Sequence, residues 1–156
     1  MNLLEEFLGI IDTLNAAHID YAVCGGLAVA YYGYPRFTKD IDLLILAADL
    51  PHIRKLLEPR GFVFYSGAIP FDPGSAQSRV IHRLSKIEGQ DVFALDLMIV
   101  GPVFDSIWND RDVVLWVNRK VQIVSSEGLA QMKRLAGRDQ DHLDLKQLGL
   151  WETLDE

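Results

Sequence analysis

Apolar positions recur at helical spacing through Leu3, Leu4, Phe7, Leu8, Ile11 and Leu14, which predicts an amphipathic helix over residues 2–17. Its charged positions, Glu5, Glu6 and Asp12, are expected on the solvent side. The pattern then changes. Tyr21–Cys24 reads as a short apolar strand, Gly25-Gly26 as a turn, and Leu27–Tyr32 as a small-residue helix. A loop with Pro35, Arg36 and Lys39 leads into a second strand that holds Asp40 and Asp42. Side chains alternate along a strand, so these two carboxylates share one face and Ile41, Leu43 and Ile45 point into a core on the other.

Asp49–Glu58 predicts a helix, with Asp49 at its cap, Pro51 in its first turn and Ile53, Leu56 and Leu57 on its buried face. Phe62–Tyr65 predicts a short strand, and Ser66–Ser78, rich in Gly and Pro, a loop on the rim of a cleft. Arg79–Ser85 and Val92–Val100 form a hairpin about Glu88-Gly89-Gln90. Pro102–Asn109 follows as a short helix. Asp112–Val117 and Lys120–Val124 make a second hairpin about Asn118-Arg119, with Trp108 and Trp116 packing at the core or edge. A helix capped by Ser125 or Ser126 and stopped by Gly137 buries Leu129, Met132, Leu135 and Ala136. A last helix begins at Arg138–Asp141 and buries Leu143, Leu145 and Leu148, and Trp151 closes a hydrophobic edge. The sum is an α+β fold: a mixed, mostly antiparallel sheet with helices packed on it. One domain spans residues 1–156, with a core over 1–124 and a carboxy-terminal helical pair over 125–156.

Composition adds limits. With 156 residues, 49% apolar and 24% charged, the chain has ordinary globular composition and enough length for a real core. No apolar run reaches the ~18 residues that span a bilayer, so no membrane association is expected. The acidic amino terminus lacks the marks of a signal peptide. The single cysteine, Cys24, excludes an internal disulfide and reads as a buried strand residue. A cytoplasmic location is the expectation. The net charge of −7 argues against coating nucleic acid through the overall field, although a local basic patch could still dock one RNA end.

The chemistry gathers on three aspartates. Asp40 and Asp42 repel each other on one strand face, and Mg2+ or Mn2+ suits such oxygen ligands. Asp96 stands with Ala94 and Met98 opposite the apolar face of Phe93, Leu95, Leu97 and Ile99. A lone carboxylate there needs either a buried arginine or a metal, and its company with Asp40 and Asp42 favours the metal. Gly25-Gly26 serves either as a phosphate-holding turn or simply as tight packing. Arg36 and Lys39 either balance the site and touch triphosphate or are ordinary loop charges. Lys133 is a candidate phosphate contact, with simple exposure as its rival, and Arg138 has Asp141 or Asp144 as local partners. Thr38 is given a local hydrogen bond. His52 and His142 are read as surface residues; His82 and Arg83 either face the site from the partner strand or, the favoured reading, are structural.

Gly25-Gly26 followed by Arg36-x-Thr38-x-Asp40-x-Asp42 resembles the signature of the nucleotidyltransferase superfamily, the fold of DNA polymerase beta. The run Leu129–Leu148 is similar to the branch of small bacterial AbiEii-type toxin nucleotidyltransferases. The Gly-Gly turn and the carboxy-terminal pattern fit the small enzymes that nucleotidylate antibiotics less well. The resemblance implies metal-dependent transfer of a nucleoside monophosphate (NMP) from a nucleoside triphosphate (NTP) to an acceptor hydroxyl. It implies that Asp40, Asp42 and Asp96 hold Mg2+ (or Mn2+) and that Gly25 and Gly26 hold phosphates, with Arg36, Lys39 and Lys133 as further nucleotide contacts. Gly26 stands where many members carry serine, which leaves the phosphate contact to the backbone. The acceptors implied are a tRNA 3' end or a protein side chain, with an antitoxin as partner. The alternative is a non-catalytic nucleotide-binding or antitoxin-like subunit of the same fold. The plainest rival is a domain whose aspartates pair with Arg36, Arg79 and Arg83.

Overall fold

The computed structural model describes residues 2–33, 38–147 and 149. Seven strands form one sheet in the order β3-β4-β5-β2-β1-β7-β6. They are β1 (Ala22–Cys24), β2 (Asp40–Ile45), β3 (Phe64–Phe71), β4 (Arg79–Glu88), β5 (Asp91–Ile99), β6 (Asp112–Trp116) and β7 (Arg119–Ile123). Pairs β1–β2, β3–β4, β4–β5 and β6–β7 are antiparallel, whereas β2–β5 and β1–β7 are parallel. The sheet is therefore mixed and mostly antiparallel, as the alternation predicts. The helices are α1 (Leu3–Ala16), α2 (Gly25–Tyr31), α3 (Leu50–Leu57), α4 (Asp105–Asn109), α5 (Ser126–Ala136) and α6 (Asp139–Gln147).

The two faces of β2 divide the molecule. Ile41, Leu43 and Ile45 are fully buried, in one core with Phe7, Ile10, Ile11 and Leu14 of α1, Leu95 and Leu97 of β5, and Ile53 and Leu57 of α3. Burying such side chains contributes ~1.5–3 kcal/mol apiece, so this face holds the central strands rigidly. Asp40 and Asp42 leave by the other face, on the side that α2 and α5 flank. Helix ends follow their local chemistry. Asn2 caps α1 by accepting from the Glu5 N–H at 2.9 Å, Ser125 caps α5 by accepting from Gly128, and Gly137 stops α5 at φ 65°.

Several expectations are corrected. The predicted loop 66–78 is strand as far as Phe71; β3 lies at the sheet edge, where Pro70 need not donate a ladder bond, and a register shift between Tyr65 and Ala68 absorbs Gly67. The second hairpin turns on Val117 and Asn118, at φ 50° and 62°, because a two-residue hairpin loop of this kind takes positive φ at both positions. Glu6 does not face solvent: it is buried, and Lys86 of β4 reaches its Oε1 at 2.7 Å. Leu4 and Leu143 are nearly half exposed. Asp49 occupies the cap position of α3 without a side-chain cap bond. Leu148 and Trp151 lie outside the described residues.

Candidate active site

β1 ends at Cys24, opposite Asp42 of β2; Asp42 is opposite Asp96 of β5, and Asp96 is opposite Arg83 of β4. One rung of the sheet thus sets Asp42, Asp96 and Arg83 side by side at the floor of a cleft of about 620 Å3. Gly25, Gly26, Lys39, Asp40 and Lys133 line the same cleft. Seven of the eight residues singled out by sequence come together there. Arg36 lies outside the described residues.

Gly25 follows Cys24 directly and takes φ 65°, a left-handed conformation that disfavours any side chain. A Cβ at this position would run into the Asp42 carboxylate. The glycine is thus needed twice, to turn the chain from β1 into α2 and to let backbone and carboxylate meet. Thr38 Oγ1 donates to the Asp40 carbonyl at 3.3 Å, the local bond expected of it.

Charge in the cleft is unevenly matched. Arg83 donates from Nε to Asp96 Oδ1 at 2.7 Å and from Nη2 to Oδ2 at 2.9 Å, and its Nη2 also lies 3.5 Å from Asp40 Oδ2. The buried-arginine alternative for Asp96 is therefore realised, by Arg83, one of the three arginines the plainest rival reading pairs with the aspartates. Asp42 has no hydrogen bond or ion pair among the described residues. Burial, with the nearby charges of Asp96 and Asp40, pushes its carboxyl up to about 7. The Cys24 thiol on the same rung is raised well above its usual value, chiefly by burial, so it stays a neutral packing residue.

The far wall comes from α5 and α6. Lys133 is buried, with its Nζ 3.1 Å from Asp141 and 3.0 Å from Asp144. Arg138 binds Asp141 from Nε at 2.7 Å and from Nη2 at 3.1 Å, the local pair expected. Lys133 is thus neither exposed nor free to be only a phosphate ligand; it clamps α6 to α5 while lining the cleft. His82 turns to the opposite face, where its Nδ1 lies 2.7 Å from the Tyr65 hydroxyl.

Hard oxygen donors and an unmatched Asp42 fit a divalent cation in kind. In arrangement they fit only in part. Among the described residues no three His, Cys, Asp or Glu side chains form a group that could hold a metal ion, and Arg83 occupies both oxygens of Asp96.

A family model for aminoglycoside-2''-adenylyltransferases matches residues 6–148, nearly the whole chain. The chain belongs to the aminoglycoside-2''-adenylyltransferase family. Its members are nucleotidyltransferases, so the superfamily implied by the glycine turn and paired aspartates holds; the match is to the adenylyltransferase family that the motifs fit less well, rather than to the AbiEii-type branch. Solved structures share the fold. A candidate nucleotidyltransferase of Thermotoga maritima (TM1012) aligns at TM-score 0.64 and 20% identity, over 92% of this chain and 90% of that one. The antibiotic-resistance factor ANT(2'')-Ia, solved in complex with adenylyl-2''-tobramycin, aligns at TM-score 0.53 and 12% identity, over 89% and 82%. Its solution structure gives 0.55 and 11%, over 89% and 77%. No curated protein sequence matches.

Proposed function

We propose that this cleft transfers an NMP from an NTP to the hydroxyl of a small acceptor. The observation that carries the reading is the rung that sets Asp42, against the Gly25 turn, beside Asp96 in one cleft. The acceptor oxygen attacks the α-phosphorus, the bond from that phosphorus to the bridging oxygen breaks, and pyrophosphate leaves with the electron pair. Asp96, in register with Asp42, would take the hydroxyl proton as the oxygen–phosphorus bond forms, once Arg83 releases the two carboxylate oxygens it holds. Asp40 and Asp42 would hold Mg2+ (or Mn2+), joined by Asp96 once Arg83 lets go; a bound metal would neutralise charge on the transferring phosphoryl group. The Gly25-Gly26 backbone would meet the triphosphate, with Lys39, Arg36 and Lys133 as further contacts. Transfer of this type needs mainly positioning and neutralisation, which a rigid sheet with fixed charges supplies.

One observation favours a non-catalytic nucleotide-binding subunit instead: the Arg83 clasp on Asp96, which satisfies the third carboxylate without a metal. The test incubates the protein with α-labelled NTPs and Mg2+ in the presence of total RNA, total protein or a small-molecule extract. The expected result is label on a small molecule, absent from Asp42→Ala. Label on RNA or protein would support the acceptors implied by the toxin resemblance, and an antitoxin would be sought by co-purification. Mg2+-dependent NTP binding without label would favour the non-catalytic subunit.

A further inference from the structure

The carboxylate rung has a direction. It runs from Cys24, which leads into Gly25, through Asp42 and Asp96 to Arg83. Arg83 thus stands two strand spacings, about 10 Å, from Asp42, on the side away from the glycine turn. Its side chain leans back across β5, because Nη2 comes within 3.5 Å of Asp40 on β2. The guanidinium therefore bridges Asp96 and Asp40 over the floor of the cleft.

The other cations of the lining are placed differently. Lys133, its side chain 5% exposed, is held by Asp141 and Asp144, and Arg138 is held by Asp141. Arg79 is fixed by Asp72 at 2.9 Å. Lys39 is exposed and offers a point charge on a flexible stem. Among the described cations that line the cleft, only Arg83 belongs to the carboxylate rung, and its side chain is 40% exposed. A guanidinium fork fits two oxygens of a phosphate as it fits two of a carboxylate. Exchanging one for the other keeps both the charge pairing and the geometry.

We propose that Arg83 is the ligand of the α-phosphate: it rests on Asp96 in the nucleotide-free protein and passes to the nonbridging α-oxygens when an NTP binds. This rests on the transferase reading above. On that reading the Gly25-Gly26 backbone meets the leaving end of the triphosphate, so the opposite end of the rung faces the phosphate that is transferred. The same movement leaves Asp96 open to the acceptor hydroxyl. Nucleotide binding and exposure of the base become one event.

The test measures ATP, AMP and pyrophosphate as competitors of a fluorescent ATP analogue, in EDTA and again in Mg2+. AMP carries only the α-phosphate, and pyrophosphate stands for the leaving end. Arg83→Gln should weaken AMP and ATP about tenfold and leave pyrophosphate within about twofold. Asp96→Asn, which loosens the hold on Arg83, should tighten AMP severalfold in EDTA, and the gain should vanish in the double variant. Arg83→Lys, which keeps the charge without the fork, should weaken AMP less but with the same preference, and it carries the comparison if Arg83→Gln does not fold. Equal weakening of AMP and pyrophosphate, or no weakening of either, would overturn the proposal. So would a gain in Asp96→Asn that survives without Arg83, since it would come from removing a negative charge alone. In these cases ATP binding in Mg2+ leaves the transferase reading standing. No ATP binding in either solution would remove that reading and this inference with it.

Discussion

Arg83 grips Asp96 through two N–H···O bonds of 2.7 and 2.9 Å, and the same guanidinium stands 3.5 Å from Asp40. A planar fork on a carboxylate is among the stronger side-chain pairings, and here it holds a nearly buried acid in the middle of the sheet. It also sets Arg83 in competition with any cation that would share Asp96. Arg83→Gln should lower the stability of the metal-free protein by about 1–3 kcal/mol, because Asp96 is left with an unmatched charge. The same change should tighten Mn2+ binding severalfold, measured by calorimetry. Unchanged Mn2+ affinity would mean that the guanidinium does not stand in the metal's way.

Asp42 makes metal-free stability depend on pH. Its folded carboxyl is raised from 3.8 to about 7, chiefly by burial, so between those values the folded state holds the proton that the unfolded state releases. Stability is therefore expected to fall as pH rises from about 4 to 7 and then to level. Urea melts across this range should show the decline in the wild type and a flatter profile in Asp42→Asn. Metal binding must displace the same proton, so affinity should rise toward pH 7.

Gly25 admits no side chain. Gly25→Ala puts a Cβ into the Asp42 carboxylate at a left-handed backbone position, at ~1–2 kcal/mol for the conformation alone. The predicted loss is larger in function than in stability. Thermal melts should show a modest drop, and metal titrations of the folded variant should show a displaced or absent site.

Lys133 tests whether α6 is held by charge. Lys133→Ala leaves Asp141 to Arg138 alone and takes from Asp144 a buried partner at 3.0 Å. A loss of about 3 kcal/mol is expected, with faster proteolysis within α6. A residue serving only as a phosphate contact would lower NTP affinity and leave the melt unchanged.

The sheet and most of the cleft are legible in the sequence because alternation is a local signal. β2, with Asp40 and Asp42 on one side and Ile41, Leu43 and Ile45 on the other, can be read in isolation, and so can the caps at Ser125 and Gly137. Pairings across long separations are not. Lys86 meets Glu6 from 80 residues away, and no local pattern marks Glu6 as buried. Arg83 could have been found. The turn at Gly89 and Gln90 sets Glu88 opposite Asp91, and counting back along both strands brings Arg83 opposite Asp96; a looser turn that includes Glu88 fixes no such register. In β3, Gly67 and Pro70 suggest a loop because their meaning depends on an edge position that only the assembled sheet reveals. The carboxy-terminal helices carry generic spacing, which is why the toxin resemblance and the antibiotic-modifying family are hard to separate there.

The most direct measurement follows the two ends of the triphosphate separately. With α-labelled NTP, label should pass to the acceptor; with γ-labelled NTP, it should appear only in pyrophosphate, in equal amount, and both signals should vanish in Asp42→Asn. Transfer of the γ-label to the acceptor, or α-label transfer that persists in Asp42→Asn, would contradict nucleotidyl transfer at this site.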